Sequence, residues 1–279
     1  MRRVLHMLEG GGVAMTKVRV RRDRPTALSW AVALAVTMLA VYLITLSVAP
    51  KEDAAESAAV QGERVTLEAT LEGVEMYFAD LGCHSDAGEA RIAAARLAQR
   101  GAAGVVWSDA AGSHVLGAAY ALEADAERIA ARLAERESLE ADVLRLSAGP
   151  VTLRITAAEA DAEAVVQADR TLRMQLAQTA GMALQVDRGE LPAASARTLA
   201  AVSASELDSA HRALSAIPGG ADDPVCAGLS AQLEAMSESL RALSKGKDSG
   251  AALSGRLRCC HVAGVLSLIE LLSDLNAGG

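Results

Sequence analysis

Aromatic residues are scarce in this chain: one Phe, three Tyr and two Trp amount to 2% of 279 positions. A core short of rings has to be filled by small aliphatic side chains, which favours closely packed, Ala-rich helices. Only six prolines interrupt the chain, so long stretches are free to be helical. Beyond the N-terminal tail there is no basic stripe, and the formal net charge is −8; nucleic acid is thereby excluded as a partner. No G-x-S-x-G, H-E-x-x-H, phosphate-binding loop or paired C-x-x-C occurs, which leaves the common hydrolase, nucleotide and zinc chemistries without their residues. A non-enzymatic protein without a cofactor is expected.

Cysteine is limited to Cys83, Cys226, Cys259 and Cys260. An even count outside the cytoplasm invites a disulfide, but helix geometry opposes the obvious pair. In an antiparallel hairpin turning near Lys247 and Asp248, position 226 faces roughly position 269. The ten-residue offset to Cys259 is ~14 Å along a helix, against the ~7 Å that a disulfide spans between Cα atoms. Free thiols are expected. "CCH" at 259–261 and "CH" at 83–84 lack the four ligands of a structural metal site.

What is present starts with a long uncharged run, "ALSWAVALAVTMLAVYLITLSVA", from Ala27 to Ala49. It is long enough to cross ~30 Å of hydrocarbon as a helix, with Trp30 near one edge and Pro50 at the exit. Seven basic residues and two acidic ones precede it, a net +5 that leaves −13 for the remainder. Positive charge stays cytoplasmic, so a single pass with residues 51–279 outside the cell membrane is expected. A cleaved signal peptide is the alternative: its apolar region is shorter, ~7–15 residues, although "SVAPKEDA" holds small residues that a protease would accept. The expected layout is a basic tail over 1–26, a transmembrane helix over 27–49, a linker over 50–72, a strand-and-helix domain over 73–156 and a helical region over 157–279.

The strand-and-helix domain rests on an internal repeat. "ARLAQR" at 95–100 returns as "ARLAER" at 131–136. The first copy lies between "MYFADL" and "GVVWS", the second between "HVLGAAY" and "ADVLRL". Asp86 with Glu89 has the spacing of an N-terminal capping pair. Ala90, Ala94, Leu97 and Ala98 share one helix face, as do Ala126, Ile129, Ala130 and Leu133. Strand, helix, strand, then strand, helix, strand is the split βαβ order, an α+β fold with two helices on one side of an antiparallel sheet. Its other face is expected to be free. Beyond Pro150 four helical segments follow, one opened by Asp223 and Pro224. Their stripes, Leu229, Leu233, Met236, Leu240 and Leu243, then Leu257, Val265, Leu268, Leu272 and Leu275, predict a helical hairpin or small bundle.

Over residues 75–148 the pattern resembles the SPOR domain, the sporulation-related repeat of bacterial envelope proteins. "YFADLG" (77–82) matches its first strand, "SHVLGAAY" (113–120) its third and "EADAERIAARL" (123–133) its second helix. The resemblance implies a ferredoxin-like βαββαβ domain on a membrane anchor that binds peptidoglycan glycan strands stripped of their peptides, in sporulation or cell division. Asp80 stands where the family commonly has Gln, Cys83 where it has a small hydroxyl residue, Gly112 where it often has an aromatic, and His114 where it has a basic residue. Strand alternation puts Met76, Phe78 and Asp80 on one face, which the resemblance makes the open one. Phe78, Asp80, Cys83, Trp107 and His114 are the candidate glycan contacts. Two roles stay open for the rings: a platform under a sugar, or filler for a core of alanines. The rival function is a structural protein that keeps this fold without glycan binding and recruits envelope partners through its C-terminal helices.

Overall fold

The structure is a computed structural model and describes residues 64–137 and 139–278. The expected transmembrane segment over 27–49 and the basic tail lie outside the described residues. The fold is mixed α+β, with six helices and two small antiparallel sheets among the described residues.

In chain order the elements are β1 (Arg64–Leu71), β2 (Val74–His84), α1 (Ala87–Ala98), β3 (Val105–Ser108), β4 (Ser113–Tyr120), α2 (Glu123–Glu137), β5 (Asp142–Ala148) and β6 (Val151–Ala158), then α3 (Glu159–Asp187), α4 (Ala193–Ser215), α5 (Pro224–Lys245) and α6 (Ala251–Gly278). From β2 to β5 the elements follow the order that the repeat predicts. The strands lie side by side as β3-β4-β2-β5, all neighbours antiparallel. Asp86 caps α1 as expected, its Oδ1 accepting from the Glu89 N–H at 2.9 Å. Asp223 does the same for Cys226 at the start of α5, also at 2.9 Å, with Pro224 in the first turn.

Residues 64–71, expected to be linker, form β1 instead and pair over their whole length with β6. Arg64 faces Ala158, and Leu71 faces Val151; across the gap Val74 faces Ala148, and Asp80 faces Asp142. The register carries over the break without a slip. The two sheets are thus joined by one long antiparallel ribbon whose pairing is interrupted where Glu72 and Gly73 oppose Gly149 and Pro150. A Cβ on Gly73 would stand 2.8 Å from the Ala148 carbonyl oxygen, so only glycine fits there. Pro150 cannot donate to a ladder, and pairing stops at it.

Helices α3 to α6 close into a bundle, each packing on its neighbours in the ring. The leucine stripes point inward: Leu229, Leu233, Met236, Leu240 and Leu243 on α5 are buried, as are Leu257, Val265, Leu268 and Leu272 on α6. The side chain of Leu271 lies over Gly228, about one helical turn past position 267, which a hairpin centred at Lys247 and Asp248 would put opposite it. Helix α6 is the one described helix long and apolar enough to cross a membrane. Its apolar surface is in part core, with Leu253, Leu257, Val262 and Leu268 shut inside the fold.

The sheet is covered on both sides, which corrects the expectation of a free face. Ala79, Leu81, Val115 and Val106 pack with Ala90 and Ala94 of α1 and Leu133 of α2. On the opposite face Phe78 and Leu116 join the core of the bundle, with Met76, Val105, Leu144 and Leu146 against them. Helix α6 lies along β3, β4 and β5 on this side. The physical reason is the composition of the face: six apolar side chains left in water would forfeit about 25 cal/mol for each Å² exposed, and α6 offers the stripe that covers them.

Candidate functional site

The covered face is the one that the resemblance assigned to glycan, and its positions can be followed one by one. Phe78 has 0% relative exposure. It is core filler, not a sugar platform, and the expectation that it contacts glycan is corrected by its burial against the bundle. Asp80 and His114 are 7% and 8% exposed. Trp107 is half-buried and packs on the bundle core. Cys83 is exposed.

Four of the five candidates do converge, at the end of the sheet where β2 meets the β3–β4 hairpin. The β2 strand shifts register twice against β4, between Ala79 and Asp80 and again between Asp80 and Cys83. Such bulges bend a strand and re-aim its side chains. Here Asp80 turns to accept the Gly82 N–H through Oδ1 at 3.1 Å, and its Oδ2 lies 2.6 Å from His114 Nδ1. The Trp107 ring sits beside the imidazole, centroids 5.6 Å apart and planes tilted by 43°. Cys83 Sγ is 3.7 Å from His114 Nε2.

Asp109 completes the group and was not singled out from the sequence. Its Oδ1 accepts from the Ala111 and Gly112 N–H groups at 2.8 and 3.2 Å, shaping the hairpin turn, and lies 3.3 Å from His114 Nε2. The "DAAG" pattern, an Asp three residues before a Gly, is the signal for it. Gly112, at φ +152°, presses the hairpin onto β2: a Cβ there would meet the His84 carbonyl oxygen at 2.7 Å.

His114 therefore has a carboxylate at each ring nitrogen. Burial pulls its pKa down, but the hydrogen bond and charge of Asp80, joined by those of Asp109, outweigh it and the net shift is upward. Asp109 in turn is held below the ordinary carboxylate range by the Ala111 N–H and by His114. When protonated, the ring donates Nδ1–H to Asp80 and Nε2–H to Asp109 and links β2, β4 and the hairpin. A Cys–His–Asp series invites comparison with thiol catalysis. Yet Nε2 sits nearer the Asp109 oxygen, at 3.3 Å, than Cys83 Sγ, at 3.7 Å. Among the described residues no three His, Cys, Asp or Glu side chains are grouped to hold a metal ion.

No family model, curated protein or solved structure matches the chain.

Proposed function

We propose that this chain is a single-pass envelope protein, anchored by residues 27–49 with its N-terminus in the cytoplasm, whose outer part is a non-enzymatic interaction scaffold. In this reading β2 to β5 with α1 and α2 are a SPOR-like, ferredoxin-like βαββαβ module. It keeps the layout of that fold while its sheet face is given over to the C-terminal helices, and envelope proteins are recruited through the outer surface of the bundle. The observation that carries it is the complete burial of Phe78. Sugar rings need an open surface of aromatic faces and hydrogen-bonding groups, whereas Phe78, Asp80 and His114 are occupied by the protein itself.

The glycan reading draws support from the clustering of Asp80, Cys83, Trp107 and His114 and requires the helices to leave the sheet. Co-sedimentation of residues 61–279 with amidase-treated and untreated sacculi separates the two. The scaffold reading expects the same background pelleting with both. Enrichment on treated sacculi that is lost in Trp107→Ala overturns it and restores peptidoglycan as the ligand.

A further inference from the structure

Away from the His114 cluster, on the opposite face of the sheet, lies a cleft of about 270 Å³ between α1, α2 and the start of α6. Its origin is compositional. The floor is Ala79, Gly117 and Ala118, residues too small to fill the space between two helices that themselves bury alanines, Ala90 and Ala94 on one, Ala126 and Ala130 on the other. The walls are aliphatic, with Leu97, Ile129, Leu133 and Leu139. A protein cavity of only about 150 Å³ with such a lining takes up small apolar molecules, and this one is close to the lower end of small-molecule sites, roughly 300–1,000 Å³.

The mouth offers no spare charge. Helix α6 is brought to it by a close approach, since a Cβ on Gly255 would stand 3.0 Å from the Ala102 carbonyl oxygen. Arg258, in the first turns of α6, pairs with Asp187 and donates to the Gly101 carbonyl at 2.6 Å. Ser254 donates to the Ala251 carbonyl at 3.1 Å, and Arg100 has a partner of its own. The Tyr120 hydroxyl differs: it makes no hydrogen bond among the described residues, and burial raises its pKa, so it is a donor at neutral pH. An ionised head would lose hydration beside an ion pair that is complete without it, with nothing to offset the loss. A neutral oxygen loses far less on entering, and Tyr120 gives it a hydrogen bond.

We infer that this cleft binds an uncharged aliphatic compound of medium chain length, its hydrocarbon between Leu97, Ile129 and Leu133 and its single terminal oxygen accepting from the Tyr120 hydroxyl. The assignment is independent of the scaffold reading, because it uses the other face of the sheet. Residues 61–279 carry their own core and form one compact unit, so they serve for the test, an NMR titration with hexan-1-ol as probe. Saturable shifts are expected at the Ala79, Gly117 and Ala118 amides. Leu133→Trp, which fills the cleft, should weaken binding at least about tenfold, as should Ile129→Trp where the first variant fails to fold. Tyr120→Phe should weaken it roughly three- to tenfold, the worth of one hydrogen bond. Hexanoate and hexylamine should each bind at least about tenfold more weakly than the alcohol. No saturation by about 10 mM hexan-1-ol, or undiminished binding by the folded tryptophan variants, overturns the site. Binding of either ion as tight as that of the alcohol overturns the neutral ligand, and a Tyr120→Phe variant that binds like the parent overturns the hydrogen bond.

Discussion

Truncating Phe78 to alanine tests the covered sheet directly. The side chain is the chain's only phenylalanine, has 0% exposure, and lies in the core shared by the sheet and the helices α3 to α6. Removing a buried Phe side chain costs about 3–5 kcal/mol, transfer and cavity together. In a body of this size each kcal/mol moves the midpoint by roughly 2–4 °C, so the expected drop in Tm is on the order of 6–20 °C. Guanidinium unfolding of residues 61–279 measures it, and Trp107 is the sole tryptophan in that stretch, so fluorescence reports on this face alone. The transition should move to lower denaturant with an unchanged m value. Tyr77→Ala is the control: its half-exposed side chain hydrogen-bonds Glu75 at the surface, and it should cost about 1 kcal/mol or less. If Phe78→Ala also costs under about 1 kcal/mol, the helices do not cover the sheet in solution and the case for a closed scaffold fails.

The histidines set the pH dependence. His114 has a raised folded pKa, so its contribution is complete below the ordinary value of about 6.5 and is lost as pH rises through the folded value; Trp107 fluorescence should titrate with a midpoint above about 6.5, and Asp80→Asn should lower that midpoint. His261 behaves oppositely: burial pushes its pKa down to about 4, so stability falls as pH drops from about 6.5 toward that value. Together they place the stability maximum of residues 61–279 near neutrality, checked by Tm against pH, with the acid limb flattened in His261→Leu. Asp86→Ala removes the cap of α1 and should cost about 1 kcal/mol in the same unfolding assay.

Local signals were legible where the chain interacts with itself at short range. The repeated "ARLA" helices, the caps at Asp86 and Asp223 and the leucine stripes each depend on residues a few positions apart, and each is found where the pattern put it. Long-range pairing was harder to see. In "RVTLEATL" the apolar residues Val65, Leu67, Ala69 and Leu71 alternate with polar ones, a strand signal that the charged surroundings masked; its partner β6 is about eighty residues away. The second covered face also had its sign. "VLGAAY" in β4 is an unbroken apolar run, the mark of a strand buried on both sides, and residues 113–119 are indeed all buried. The link between Asp80 and His114 had no such sign, because it depends on bulges that shift Asp80 against β4.

The break in the long ribbon is one place where strands and helices are tied into one body. At Glu72 and Gly149 the ladder is interrupted, and their carbonyls lose the partners that a straight ribbon would give them. Both residues are exposed, so water can serve these carbonyls as well, and the bundle adds donors of its own. Arg173 on α3 gives its Nη2–H to the Glu72 carbonyl at 2.6 Å, its own guanidinium held by Asp169 through Nε at 2.9 Å. Asn276 near the end of α6 gives Nδ2–H to the Gly149 carbonyl at 3.1 Å. Helix α3 starts at Glu159 directly after β6 ends at Ala158, so the direction of the ribbon fixes where the bundle begins. The break in the ribbon is thus where the first and last helices of the bundle both take hold of it, and from there α6 lies across the face that contains Phe78.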